Sequence, residues 1–255
     1  MTERPRSRVQ SVDRAALLLG ALSEADSSGV GLADVAARLG VARSTAHAML
    51  RTLEAHGLVA EVDGPRFVLG TGLIRLGDIA SKQLPIADLA RPVLSALAQL
   101  TGLTTRLAVA DDGYPVFVAK VDGPGAVRFT TPLGSRESPN ASAAGKIILA
   151  DLPEARVREL FAESGPRKRT QRTITQITPL LAELARVREQ GFAVDDEEDL
   201  EGVFCVAAGV RDSTGRLLGA LSATGIKSEQ RTRSTEDLGA IIRDHAAQVA
   251  ARLGR

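Results

Sequence analysis

Five side chains suited to reading nucleic acid cluster in one short stretch: Arg43, Ser44, Thr45, His47 and Arg51. Arginine can pair bidentately with guanine, and serine or threonine can bond phosphates or base edges. Ala46, Met49, Leu50 and Leu53 interleave with them at helical spacing, so one side of a helix is apolar and the other carries the polar row. On an isolated helix such a row is merely solvated. Here a shorter helical pattern precedes it, with Leu32, Val35, Ala36 and Leu39 on one side, and Gly40 between the two can take the left-handed conformation of a helix-ending turn. Two short helices around a tight turn, the second displaying polar groups, make a DNA-reading shape. Arg66 and the arm residues Arg4, Arg6 and Arg8 add cations suited to phosphate or minor-groove contact. His56, just before Gly57, reads as a helix-end or surface residue.

Catalytic chemistries are poorly supported. The segment NASAAGK at 140–146 has Asn140 where a phosphate loop needs its first glycine and Ile147 where it needs Ser or Thr. It reads better as a helix start, with Asn140 or Ser142 as cap and small Ala143 and Ala144 leaving backbone N–H groups open to an anion. The single cysteine, Cys205, has no histidine in a supporting pattern, and His47, His56 and His245 form no metal-ligand spacing. No cofactor is expected. On adjacent strands, Val203, Cys205 and Ala207 share one face, as do Ser222 and Thr224, so these small and hydroxylated residues converge on one cavity.

The elements that must position these groups fall into two parts. Val12 to Leu22 predicts a first helix, followed by the two already described. A hairpin follows, from Leu58 to Val62 and Arg66 to Leu69 around Asp63-Gly64, which completes a winged helix. Thr71 to Leu84 predicts a linker helix stopped by Pro85. Beyond it, helical patterns at Ile86 to Leu100, Ala141 to Ala150, Pro153 to Ala162, Ile177 to Gln190 and Thr235 to Leu253 alternate with strands. The strands are predicted at Thr105 to Ala110, Pro115 to Val121, Ala126 to Thr130, Phe192 to Asp195, Val203 to Arg211 and Arg216 to Thr224. This is an α+β arrangement with a mixed antiparallel sheet.

With 255 residues, 44% hydrophobic and 25% charged, the chain has the balance of a soluble globular protein. No apolar run approaches the roughly 20 residues that span a bilayer, and the basic N-terminus lacks a signal peptide's apolar core, so a cytoplasmic protein is expected. Net charge is +1, and residues 1–84 hold 10 Lys and Arg against 9 Asp and Glu. Any DNA contact must then come from locally placed cations, with affinity resting heavily on dimerisation.

Several stretches together resemble one family, the IclR-type bacterial transcriptional regulators, over nearly the full length. QSVDRAALLL at 10–19 resembles its opening helix, and LADVAARLGVARSTAHAMLRTLEAHGLV its helix-turn-helix. FVLGTGLIRLG resembles its wing and linker. NASAAGKIILA, GFAVDDEEDLEGVFCVAAGVRD and GRLLGALSATG resemble stretches of its effector-binding domain. The family commonly has His at Asn140, Pro at Gly209 and Ser at Thr224. The resemblance implies a winged helix-turn-helix domain at 1–70, a linker helix at 71–85, and a PAS- or GAF-like effector-binding and oligomerisation domain at 86–255. It implies effector contacts at Ala143, Ala144, Asp195, Val203, Cys205, Ser222 and Thr224, to which Asn140 is added as a candidate. It also implies a homodimer or homotetramer on double-stranded operator DNA, answering to a small metabolite, often a carboxylate. The expected function is a regulator, and a repressor before an activator, of a catabolic operon controlled by a small organic acid. Neither membrane association nor enzyme activity is expected. The competing reading, an enzyme with a catalytic C-terminal domain, lacks a base, a metal cluster and a phosphate loop. A DNA-binding adaptor without ligand would lack a cavity.

Overall fold

The computed structural model describes residues 9–62, 64–130, 132–229 and 234–254. The chain divides into two compact units, residues 1–83 and 84–255.

In the first unit, helices α1 (Gln10–Ser23), α2 (Leu32–Leu39) and α3 (Arg43–Ala55) enclose a core of Leu18, Val35, Ala36, Ala46, Leu50 and Phe67. Gly40 ends α2 at φ +62°, with its N–H reaching back to the carbonyls of Ala36 and Ala37, so the turn into α3 rests on a left-handed residue. Strands β2 (Val59–Val62) and β3 (Arg66–Leu69) form the hairpin. A third strand, β1 (Val30–Gly31), pairs antiparallel with β3 and was not foreseen. Two residues are too short to show a period, and the pairing exists because Val30 meets Phe67 across the sheet. Helix α4 (Gly72–Lys82) ends the unit and buries none of its residues.

The second unit is built on a five-stranded sheet of order β5-β4-β8-β7-β6, every neighbour antiparallel. Its strands are β4 (Thr104–Asp111), β5 (Tyr114–Val121), β6 (Phe192–Asp196), β7 (Val203–Arg211) and β8 (Leu217–Ile226). Alternation sorts the side chains. Leu107, Phe204, Val206, Leu221 and Ala223 face α5 (Pro85–Thr101) and α9 (Thr235–Leu253). Ala108, Phe117, Cys205, Ala207 and Ala220 face α6 (Ala143–Asp151), behind which α7 (Glu154–Ser164) and α8 (Ile177–Gln190) pack. Pro85 both follows α4 and opens α5, where its missing N–H costs nothing.

The strand expected at Ala126 to Thr130 is not formed; residues 122–130 are irregular. The guanidinium of Arg128 bonds the carbonyls of Gly123, Gly125 and Val127, so the chain here satisfies its own backbone instead of joining a ladder. Among the described residues, no helix is long and apolar enough to cross a membrane.

Candidate functional site

On α3 the polar row is displayed. Arg43, Ser44, Thr45 and His47 are exposed, while Ala46, Leu50 and Leu53 are buried, so the first turns of the helix offer hydroxyl, imidazole and guanidinium groups to solvent. Two other candidate cations are engaged within the protein. Arg51 pairs with Glu54 at 2.7 Å and Glu61 at 2.8 Å, which ties α3 to β2 and offsets its charge. Arg66 lies at the start of β3, not at the hairpin tip, and donates to the carbonyls of Ser28 and Gly29, each at 2.6 Å. It clamps the hairpin to the segment before β1. His56 is the exposed C-cap of α3, and Arg4, Arg6 and Arg8 lie outside the described residues.

In the second unit, a cavity of about 270 Å³ lies between the sheet and the start of α6. Strand register builds its floor: Asp195 stands opposite Cys205, Cys205 opposite Thr224, and Arg106 opposite Ser222. Ser142 caps α6, its hydroxyl accepting from the Gly145 N–H at 3.1 Å. A Cβ on Gly145 would sit 2.4 Å from the Pro139 carbonyl oxygen, so only glycine lets the helix start this close to the preceding chain.

Of the expected effector residues, Ala144, Asp195, Val203, Cys205 and Thr224 line this cavity. Three others do not. Ala143 is turned into the apolar cluster with Ala108, Phe117 and Ala207. Ser222, two residues along β8 from Thr224, is fully covered, and its hydroxyl has no partner among the described residues. Asn140 donates to the Ile174 carbonyl at 2.9 Å and borders a separate depression beside Tyr114 and Arg136. Its amide is drawn to an unpaired backbone acceptor of the chain before α8, which leaves Ser142 as the cap.

Sequence reasoning missed a buried guanidinium in the cavity. Arg106, on β4, is buried, donates to Thr224 Oγ1 at 2.8 Å, stacks 4.3 Å from the centroid of the Phe117 ring and pairs with Glu137 at 3.4 Å. Burial pushes the Glu137 carboxyl up despite Arg106. Burial likewise raises Asp195 to about 7, although its carboxylate accepts from the N–H groups of Glu198 at 2.7 Å and Asp199 at 3.2 Å. Burial also pushes the Cys205 thiol up to about 11, which keeps it protonated at neutral pH and a poor nucleophile. The signal for Arg106 was an arginine inside the apolar run TTRLAVA, where a solvated strand would not place one.

Lys146, the last residue of NASAAGK, is fully buried. Its ammonium donates to Glu198 at 2.5 Å, to the Val194 carbonyl at 2.7 Å and to Glu183 at 3.3 Å. It therefore pins the acidic segment that carries Asp195 onto α6.

The sequence pattern described as bacterial transcriptional regulator IclR C-terminal matches residues 79–251, and the IclR helix-turn-helix domain matches residues 11–63. The chain is 32% identical over 221 residues to the HTH-type transcriptional regulator XynR of Escherichia coli, covering 86% of this chain and 87% of that protein. It is 30% identical over 250 residues to the HTH-type transcriptional repressor AllR of Salmonella typhi, covering 96% and 90%. Among solved structures, the IclR transcriptional regulator of Alicyclobacillus acidocaldarius matches with a TM-score of 0.83 at 29% identity, covering 96% of this chain and 99% of that one.

Proposed function

The chain belongs to the IclR family of bacterial transcriptional regulators, and from that membership we propose that it is a cytoplasmic, non-catalytic repressor of a catabolic operon whose hold on its operator is set by a small organic acid. One observation carries the DNA half: the exposed row Arg43, Ser44, Thr45 and His47 at the start of α3, on a helix whose other face is buried. The name of the Salmonella relative as a repressor supports that sign of control. Arg106 beside the capped start of α6 supports the acid, because a guanidinium and open backbone N–H groups both favour an anion. With Asn140, Ala143 and Ser222 outside the cavity, the effector contacts we propose are Arg106, Ser142, Ala144, Asp195, Val203, Cys205 and Thr224.

Arg43→Ala and Thr45→Ala should each weaken operator binding by about 1–3 kcal/mol, the cost of losing a base-edge contact, while binding to a scrambled duplex of equal length changes far less. Gel-shift titration on both duplexes measures it. Equal loss on the two would make these residues phosphate contacts and leave base reading to others.

We further propose that the working unit is at least a dimer. Helix α4 exposes Ile74 (74%), Leu76 (46%) and Ile79 (45%), and α1 exposes Val12 (65%) and Leu17 (58%). A second copy covering such surfaces also supplies the second recognition helix that a two-fold operator needs. Light scattering at micromolar concentration should give at least twice the chain mass; a monomer with and without DNA would overturn the dimer.

A further inference from the structure

We infer that the effector is an acid that also carries an ammonium group at the far end of a short carbon chain, its carboxylate on Arg106 and its ammonium on Asp195. This rests on the reading of the cavity between the sheet and α6 as the effector site, and adds to it the class of acid.

Charge sets the requirement. The cavity is lined by the guanidiniums of Arg106 and Arg169 and by the carboxyls of Glu137, Asp195 and Asp199. Arg169 pairs with Asp199 at 2.6 Å and Arg106 with Glu137 at 3.4 Å, which leaves Asp195 as the lining carboxyl without an ion pair among the described residues. Asp195 is only 4% exposed. The N–H groups of Glu198 and Asp199 both donate to its Oδ1, and Oδ2 has no hydrogen bond among the described residues. A plain acid that took the place of Glu137 on Arg106 would leave two carboxyls, Glu137 and Asp195, without a cation in a space where burial already raises Asp195 to about 7. An acid that brings its own cation answers that deficit.

Strand register sets the distance. Thr224 stands opposite Cys205 and Cys205 opposite Asp195, so the three form one row across β8, β7 and β6 on one face of the sheet. The Arg106 guanidinium marks one end of the row, donating to Thr224 Oγ1 at 2.8 Å and stacked 4.3 Å from the centroid of the Phe117 ring. Asp195 is the other end. Two strand spacings separate the ends by about 10 Å. With a hydrogen bond of about 3 Å at each end, a chain of about four to six carbons lying over the row spans the rest. The charges of a 2-amino acid lie too close together to do so. Between the ends stands Cys205, whose thiol burial pushes up to about 11, so the middle of the row offers an uncharged surface to methylene groups.

The test is titration calorimetry on the full chain at pH 8, where Asp195 is ionised. The probes are the ω-amino acids from 4-aminobutanoate to 6-aminohexanoate, the unsubstituted and ω-hydroxy acids of the same lengths, and 2-aminobutanoate. The best ω-amino acid should bind at least about tenfold more tightly than the unsubstituted acid of its length and than 2-aminobutanoate, the gain expected from one hydrogen bond between charged groups. Asp195→Asn keeps an oxygen for the Glu198 and Asp199 N–H groups and should move two series in opposite directions. The ω-amino acids should weaken by at least about tenfold, and the unsubstituted acids should tighten by at least about threefold as a negative charge leaves the cavity. Unsubstituted or hydroxy acids that match the ω-amino acids in wild type overturn the ammonium and leave the acid site at Arg106 standing. Weakening of both series by Asp195→Asn removes Asp195 as the ammonium's partner and overturns the inference. Absence of binding by every acid overturns the effector reading of the cavity as well.

Discussion

Lys146→Met should destabilise the second unit by about 3–5 kcal/mol, the usual cost of removing one member of a buried ion pair. The ammonium lies fully buried between two carboxylates, Glu198 at 2.5 Å and Glu183 at 3.3 Å, and also bonds the Val194 carbonyl. Methionine fills the same length and is apolar, so packing is preserved while Glu198 loses its countercharge and Glu183 keeps only that of Arg186. Burial already pushes the Glu198 carboxyl upward with Lys146 present, and without Lys146 it would have to hold a proton or draw in water. The single tyrosine, Tyr114, lies in β5 and the chain has no tryptophan, so intrinsic fluorescence in a urea titration reports this unit alone. Adding Glu198→Gln to Lys146→Met should restore part of the loss, since the carboxylate left without its partner is then neutral. A loss under about 1 kcal/mol would show that the cluster is wetter and more adaptable than its packing indicates.

Lys146 also marks where sequence reading stops. Periodicity showed the apolar sides of α2 and α3, the hairpin after them, and the alternation that sets Cys205 and Thr224 on one face, because each is a local pattern of period near 3.6 or 2. The same reading took NASAAGK as a helix start, and Ser142 does cap α6. What it could not show was where a charge goes when the chain folds over it. Lys146 meets Glu183 and Glu198, and Arg106 meets Thr224, only through sheet register and the placing of α8, which no local window contains. The same limit runs the other way for Arg51 and Arg66, whose partners lie on a neighbouring strand and in the segment before β1. Two cations that the sequence offers to DNA also make contacts within the winged unit. Ala143 and Ser222 lie off the cavity lining for a finer reason: each is adjacent to or alternates with a cavity residue, yet a helix turns by about 100° per residue and a cavity ends within one strand step.

Arg106→Gln should remove the response to the effector while leaving operator binding in its absence unchanged. The cavity holds two guanidiniums, Arg106 and Arg169, and three carboxyls, Glu137, Asp195 and Asp199. Arg169 is matched to Asp199 at 2.6 Å. Burial raises Asp195 to about 7, so at and below neutral pH it opposes an anion less than a full carboxylate would, and burial pushes Glu137 in the same direction. Glu137 stands at 3.4 Å from Arg106, at the long end of an ion pair, and an entering carboxylate can take its place. Truncating one partner of a buried charge pair typically costs about 2–5 kcal/mol in binding, so the effector midpoint should move by at least about thirtyfold. Arg106→Lys keeps the charge but cannot both reach Thr224 and grip a carboxylate with a planar fork, and should fall between the two. Fluorescence anisotropy of labelled operator during effector titration gives the midpoint, and Tyr114 fluorescence in urea shows whether each variant is folded. Because the DNA-reading row lies in the other compact unit, a folded Arg106→Gln that has lost operator affinity would mean the second unit controls the first even without ligand. A folded Arg106→Gln with the wild-type midpoint would remove Arg106 from the site and leave the anion to the start of α6 alone.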